Sequence, residues 1–291
     1  HRYEGRELTD RCPWCGQPAR MEIIDGHYEC NTCRRSSQFF APQASAPSAS
    51  ASELIDLARE VREAGFSFRT GKNMEPLACA SAVPADWESF VSSWKNLGLD
   101  LYMADGGRYR RRRFAAFHVA RDDIKRKPHQ PHYQSRDYNS LNGDIERWFE
   151  PVLPEIATNP ILLNLLSTCQ HVFDQVGYPV RGAPWHVEVH QFHIEALKGT
   201  TGLPTPEGMH RDGVDWVCVV LVKRENVGSG TTEIYDSIRN VTSGFTLTEP
   251  LDTVLLDDSR VRHGVTPIAP LDSAGNGHRD VLVLTFRSDE K

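Results

Sequence analysis

The sequence predicts an α+β protein with a small metal-dependent unit at its N-terminal end, and three observations carry that reading. Two C-x-x-C pairs crowd the first forty residues. The stretch that follows repeats its apolar residues at helical spacing. After Tyr178 the texture changes to short β-branched and aromatic runs separated by Gly, Pro, Asn and Asp. Helices followed by strands, with no helices between the strands, argue for a sheet sandwich or barrel in the C-terminal half.

A chain of 291 residues has room for one large domain and an appended module. Hydrophobic residues at 39% and charged residues at 25% describe an ordinary soluble globular protein. The net charge of −6 gives no general attraction to nucleic acid or to an anionic membrane. No apolar run approaches the roughly 20 residues that span a bilayer. Neither nucleic acid nor membrane is therefore an expected partner. The seven cysteines are an odd number in a chain too large to need disulfide staples. That usage suits a reducing compartment, and the cytoplasm is the expected location. Cys79, Cys169 and Cys218 lie in apolar or mixed segments and read as small hydrophobes.

Residues 1–40 form the first unit. Cys12 and Cys15 in RCPWCG and Cys30 and Cys33 in HYECNTC have the spacing of a four-thiolate zinc ribbon. Met21 to Tyr28 can fold as a hairpin through Asp25-Gly26. A closed four-thiolate site has no open coordination position, so the zinc is structural and supplies folding energy that so short a module lacks. Such a ribbon serves for contact with a protein partner or with the rest of the chain. Residues 41–52 (APQASAPSASAS from Ala41) are a Pro/Ala/Ser linker.

The main domain, 53–291, divides into a helical part, 53–180, and a barrel core, 181–291. Ser52 is placed to cap a first helix carrying Leu54, Leu57, Ala58 and Val61, with Glu53 at the positive end of its dipole and Gly65 as its stop. Pro84 to Leu97 is a second, weaker helix. Asn159-Pro160 opens a third, with Asn as cap and Pro in the first turn. The strands predicted are Trp185–Leu197, Trp216–Lys223, Thr232–Tyr235, Phe245–Leu247, Thr253–Leu256 and Asp280–Phe286.

Chemistry concentrates in PTPEGMHRDGVDW. His210 and Asp212 stand two residues apart, so on an extended chain both project from one face and can share one ion. The best third ligand is His263 in LLDDSRVRHGVTPI. Two imidazoles and one carboxylate leave positions open on a metal ion, the arrangement of non-haem Fe(II) oxygenases. An isolated H-x-D occurs by chance in many proteins; a distal His in a strand-rich half makes the pattern more specific. Gln191 and His193 share strand parity and are candidates for lining a pocket. Trp216 either walls that pocket or fills the core. Asp257 and Asp258, before the distal His, read as a turn, with support of the metal-binding imidazole as the alternative.

These segments resemble the bacterial 2-oxoglutarate/Fe(II) dioxygenase family that includes L-isoleucine dioxygenase. The resemblance is carried by HQFHIEA, LPTPEGMHRDGVDWV, GTTEIYD, LDDSRVRHGVTPI and HRDVLVLTF. Upstream it continues through LDLYMADGGRYRRRRFAAF, HYQSRDYN and GDIERWFEPV, so it covers residues 85 to 287. It implies a double-stranded β-helix (jelly-roll) barrel flanked by helices. It implies His210, Asp212 and His263 as catalytic iron ligands and Arg279 as the anchor for 2-oxoglutarate, a fork suited to a carboxylate. Arg287, at the same strand parity, is the alternative anchor, and Gln191 is placed on the cofactor side. His193 stands where the resemblance expects Arg. Arg108 and Arg110 to Arg113 fall within the family-like pattern, which favours a structural or rim role over phosphate contact.

The reaction implied is hydroxylation of a free amino acid or related small metabolite by O2, with 2-oxoglutarate decarboxylated to succinate and CO2 and ascorbate helpful in assay. The carboxylate ligand Asp212 favours hydroxylation over halogenation. The zinc ribbon lies outside the resemblance and suggests the alternative: a hydroxylase or demethylase of a macromolecule recruited through that ribbon.

Overall fold

The computed structural model describes the backbone at residues 8–11, 18–24, 27–30, 36–38 and from 49 onward, save 122, 139–140, 142, 178–183, 273–274 and 289–291; side chains are described from 51 onward. The chain divides into two units, His1–Ala49 and Ser50–Lys291.

In the first unit, β1 (Leu8–Arg11), β2 (Pro18–Ile24), β3 (His27–Cys30) and β4 (Ser36–Gln38) form an antiparallel sheet in chain order. β2 and β3 are the antiparallel pair expected from Met21 to Tyr28, with Ile24 opposite His27. The zinc site expected at Cys12, Cys15, Cys30 and Cys33 lies outside the described residues, since only the Cys30 backbone is among them.

The second unit opens with α1 (Ala49–Ala64), which starts before Ser52, so Ser52 lies inside the first turn and is not the cap. Gly65 ends the helix at φ +80°, and a side chain there would also strike Val261. Next come β5 (Phe66–Arg69), α2 (Gly71–Ala78) and α3 (Pro84–Ser92), the last continued by a 3-10 turn over Ser93–Asn96. β6 (Gly98–Leu99), β7 (Arg110–Ala120) and β8 (Asp123–Arg126) precede α4 (Pro154–Ala157) and α5 (Pro160–Val176). Asn159 caps α5 by accepting the Ile161 N–H at 2.9 Å, and Gly177 closes it in the left-handed region.

The division into a helical part, 53–180, and a barrel core, 181–291, is therefore corrected: sheet strands also come from the first part. β7 pairs with β9 over ten positions, well inside the sheet. The arginine run hides this strand. Arg110 and Arg112 look like surface residues in sequence, yet both are buried because Asp100 neutralises them.

The remaining strands are β9 (Trp185–Ala196), β10 (Trp216–Glu225), β11 (Val227–Ser229), β12 (Thr231–Asp236), β13 (Val241–Thr246), β14 (Thr253–Asp257), β15 (Val261–Val265), β16 (Ile268–Pro270) and β17 (Gly277–Ser288). The large sheet runs β5-β14-β10-β17-β9-β7-β6, with β8 beside β7; β13-β12-β15 and β11-β16 form smaller sheets.

Alternation along each strand gives the large sheet two faces. On one, Val187, Val189, Cys218, Val220, Leu282, Leu284 and Phe286 bury against Leu162, Leu165, Leu166 and Phe173 of α5. Each fully buried side chain of this size contributes about 1.5–3 kcal/mol. Trp216 belongs here, stacked on Phe173 at 5.0 Å between centroids, so it fills the core. On the other face Val217, Val254 and Leu256 pack with Ile234 and Val261 of the small sheet. Two sheets thus face each other, with α5 packed on the outside of the larger one. Among the described residues, no helix is long and apolar enough to cross a membrane.

Candidate active site

His210 and His263 are joined through their backbones. Each amide N–H donates to the other's carbonyl at 2.9 Å, an isolated antiparallel bridge that brings the two rings to 4.5 Å between centroids. Asp212 lies beside both: its carboxylate oxygens are 3.6 Å from His210 Nε2 and 3.4 Å from His263 Nε2. One donor atom from each of the three fits within 4.8 Å of the others, so together they can hold a metal ion. His210 Nδ1–H donates to the Gly208 carbonyl at 2.9 Å, which leaves Nε2 free to face the carboxylate. Asp258 fixes the loop: its buried carboxylate accepts the N–H groups of Asp212, Gly213 and Val214 at 3.0, 2.8 and 3.1 Å.

The electrostatics suit a metal. Burial opposes the charged form of His210, but the Asp212 hydrogen bond and charge outweigh it and raise its pKa to about 9. Burial would also raise Asp212, yet His210 and His263 hold it well below the usual carboxylate range. Burial, aided by the His210 charge, pushes His263 down to about 4. A carboxylate and a neutral imidazole are forms that a metal ion binds, and the ion would take the place of the extra proton on His210.

A cleft of about 380 Å³ opens on Asp212. Arg110, Arg112, Arg147, His132, Glu188 and Glu207 are among its lining residues. The β9 residues in it are His186, Glu188, His190 and Phe192. Gln191 therefore has the wrong parity for the cofactor side: it turns to the opposite face and donates to Ser93 Oγ at 2.7 Å. His193 shares that face and pairs with Asp280. The apolar positions Trp185, Val187 and Val189 fix the phase, because they must meet the helices and so send the even positions into the cleft. That alternation is legible in WHVEVHQFH, and it is the signal by which Glu188 and His190 could have been found.

Around Glu188 the charges are tightly compensated. His132 Nδ1 lies 2.9 Å and His190 Nε2 3.6 Å from its carboxylate, and Arg112 Nη2 lies 2.6 Å from His190 Nδ1. Burial opposes the Glu188 charge, but His132, His186 and His190 keep it well below its ordinary value. Burial together with the Arg112 guanidinium pushes His190 down to about 3. His132, Glu188 and His190 also have donor atoms close enough for an ion. With Arg112 and Arg147 beside them, however, this group sits in a positive field that repels a cation. Burial, helped by the Arg110 and Arg147 charges and opposed by Asp100, brings Arg112 down to about 9.

Arg279 is 2% exposed, and its Nε and Nη2 have no hydrogen-bond partner among the described residues. Burial and the nearby Arg224 charge lower its pKa to about 10. A buried guanidinium lacking an anion is costly, so the position is suited to a bound carboxylate. Arg287 lines the Asp212 cleft and is exposed.

Residues 91–285, more than half of the chain, match the 2OG-Fe dioxygenase family, and the chain belongs to that family. Two relatives give its neighbourhood. The 3(1)-hydroxy-L-isoleucine 4-dioxygenase of Pantoea ananatis is 26% identical over 166 residues, 55% of this chain and 65% of the relative. The L-isoleucine-4-hydroxylase of Bacillus thuringiensis is 25% identical over 160 residues, 55% of this chain and 66% of the relative. The matched region thus spans slightly less than two thirds of either relative. Among solved structures, a BsmA homologue from Methylobium petroleophilum PM1 superposes with a TM-score of 0.74 at 37% identity, covering 81% of this chain and 93% of that one. The IDO structure from Bacillus thuringiensis, at 19% identity and a TM-score of 0.67 over 81% of this chain and 99% of that one, shares the fold. The family implies Fe(II) and 2-oxoglutarate, and the donor set of His210, Asp212 and His263 with the unpaired Arg279 fits both.

Proposed function

We propose that this chain is an Fe(II)- and 2-oxoglutarate-dependent dioxygenase on a jelly-roll barrel, hydroxylating a free amino acid or a related small metabolite. The observation that carries the proposal is the group of His210, Asp212 and His263, whose Asp212 lines a cleft that offers buried charges of both signs. In this reading those three residues hold the iron, and Arg279 holds the distal carboxylate of 2-oxoglutarate. Bound together, the two supply the O2-driven oxidation of a C–H bond, with 2-oxoglutarate converted to succinate and CO2.

The cleft residues bind and orient the substrate. Arg112 Nε and Arg147 Nε are buried without partners among the described residues, and they suit an α-carboxylate. Glu207 Oε2 is likewise buried and unpartnered, and Glu207 lines the cleft 3.5 Å from His210 Nε2. It suits an ammonium group. Pairing both ends of a zwitterion fixes the side chain relative to the metal ligands, the main service a protein renders in this chemistry. Phe192, Val214 and Val283 add apolar wall. The relatives named for isoleucine and its hydroxy derivative support an aliphatic amino acid.

The test is a panel of amino acids screened for substrate-dependent succinate release with Fe(II), 2-oxoglutarate and ascorbate. At least one aliphatic member should be turned over by the intact chain, and Asp212→Ala should abolish that turnover. Full hydroxylation by Asp212→Ala would overturn the ligand assignment.

A further inference from the structure

The face of β9 and β17 turned away from the cleft carries a second group of metal-binding side chains. In the register of these strands His193 is opposite Asp280 and Glu195 is opposite His278. Cross-strand partners share a face, and so do positions two apart, so H-x-E on one strand and H-x-D on its neighbour place four donors in one square. His193 Nδ1 is 2.5 Å from one Asp280 oxygen, and His278 Nε2 is 3.5 Å from the other. The two imidazoles are 4.9 Å apart between centroids. One donor atom each from His193, His278 and Asp280 fits within 4.8 Å of the others. His193 Nε2 is 3.7 Å from Glu195 Oε1.

We propose that His193, His278 and Asp280 form a binding site for a zinc-class divalent cation that clamps β9 to β17. Tetrahedral bonds of about 2 Å place donors about 3.3 Å apart, close to the His278–Asp280 separation. On binding, His193 Nδ1 would exchange its contact with Asp280 for one to the ion. Imidazole with carboxylate is a donor set for zinc, and also for nickel or copper, in preference to magnesium or calcium. Asp280 is buried, while the side chains of His193 and His278 are 18% and 23% exposed, which leaves a path for an ion. The surrounding charges do not forbid it. Arg111 Nε donates to Glu195 at 2.9 Å and orients that carboxylate, and Lys223, across from Asp280, is compensated by Glu225 at 2.5 Å. The site shares no side chain with the group of His210, Asp212 and His263.

The experiment uses the full chain in a zinc buffer at micromolar free ion, with bound zinc counted by mass spectrometry. The unmodified chain should hold one more equivalent than either His278→Gln or Asp280→Asn, the affinity of that equivalent falling by about tenfold or more. Asp280→Asn retains an oxygen to accept from His193, so the sheet keeps its cross-strand hydrogen bond. The loss should be the same in an Asp212→Ala background, because the two groups are separate. Equal zinc content in the unmodified chain and both variants would overturn the site. So would a loss that disappears once Asp212 is replaced.

Discussion

Arg279 and Asp258 show two ways a buried charged side chain can be met by its surroundings. Asp258 acts on backbone amides: three N–H groups converge on its carboxylate and fix the shape of the loop that carries Asp212. Burial, with the Asp212 charge added, raises its own pKa to about 7. Arg279 is the opposite case, a buried cation with nitrogens left over. Arg279→Met should therefore stabilise the ligand-free chain by about 1–3 kcal/mol, read as a higher urea midpoint. The same variant should lose the thermal stabilisation that 2-oxoglutarate gives the unmodified chain. A lower urea midpoint would mean that the guanidinium has partners of its own. That His210, Asp212 and His263 come together was legible from their types and spacing, whereas Arg279 was singled out by the resemblance. Sequence marked Asp258 only as a turn or supporting residue and did not mark Glu207, whose placement in the cleft no spacing records.

At the scale of the element, β7 is the instructive case. Four consecutive arginines alternate between two environments: Arg110 and Arg112 meet Asp100 in the interior, while Arg111 and Arg113 reach Glu195 and Glu150 on the other face. Burial works against the Asp100 charge, but Arg112 and Arg110 outweigh it and keep its pKa low. Arg110→Ala should cost about 3–5 kcal/mol, because it strips a partner from a buried carboxylate. Arg111→Ala, half-exposed, should cost less than about 1 kcal/mol. Chemical denaturation of the two variants checks the ordering, and equal costs would contradict it. The strand escaped sequence reading because charge masks alternation when the buried charges are paired. α5 did not escape, since Asn159, Pro160 and the Leu repeat agree on its start and face. Gln191 was misplaced for a related reason: polar residues fall on both faces of β9, and only its apolar positions reveal the phase.

For the molecule as a whole, the run of strands after Tyr178 was legible because the two periods differ so clearly, whereas β5 to β8, set among the helices, were not. Pairing order was not: β17 lies between β9 and β10, and β5 joins β14 at the sheet edge, contacts distant in sequence. The two units allow a direct test of the small-substrate reading. Deleting residues 1–48 removes the cysteine-rich unit and spares α1. Turnover of a free amino acid should be unchanged by that deletion. A loss confined to a protein or nucleic-acid substrate would favour the macromolecular alternative.

β17 serves both faces of the sheet at once: Arg279 turns inward between His278 and Asp280, which turn outward. A one-residue insertion anywhere before Arg279 within the strand would exchange the two sets, burying histidine and aspartate where the guanidinium belongs. Substitutions can change this strand one position at a time, but length changes cannot be tolerated within it. Any lineage carrying this protein is thus free to vary β17 in letters and barred from varying it in count, while the connections on either side of the strand carry no such restriction.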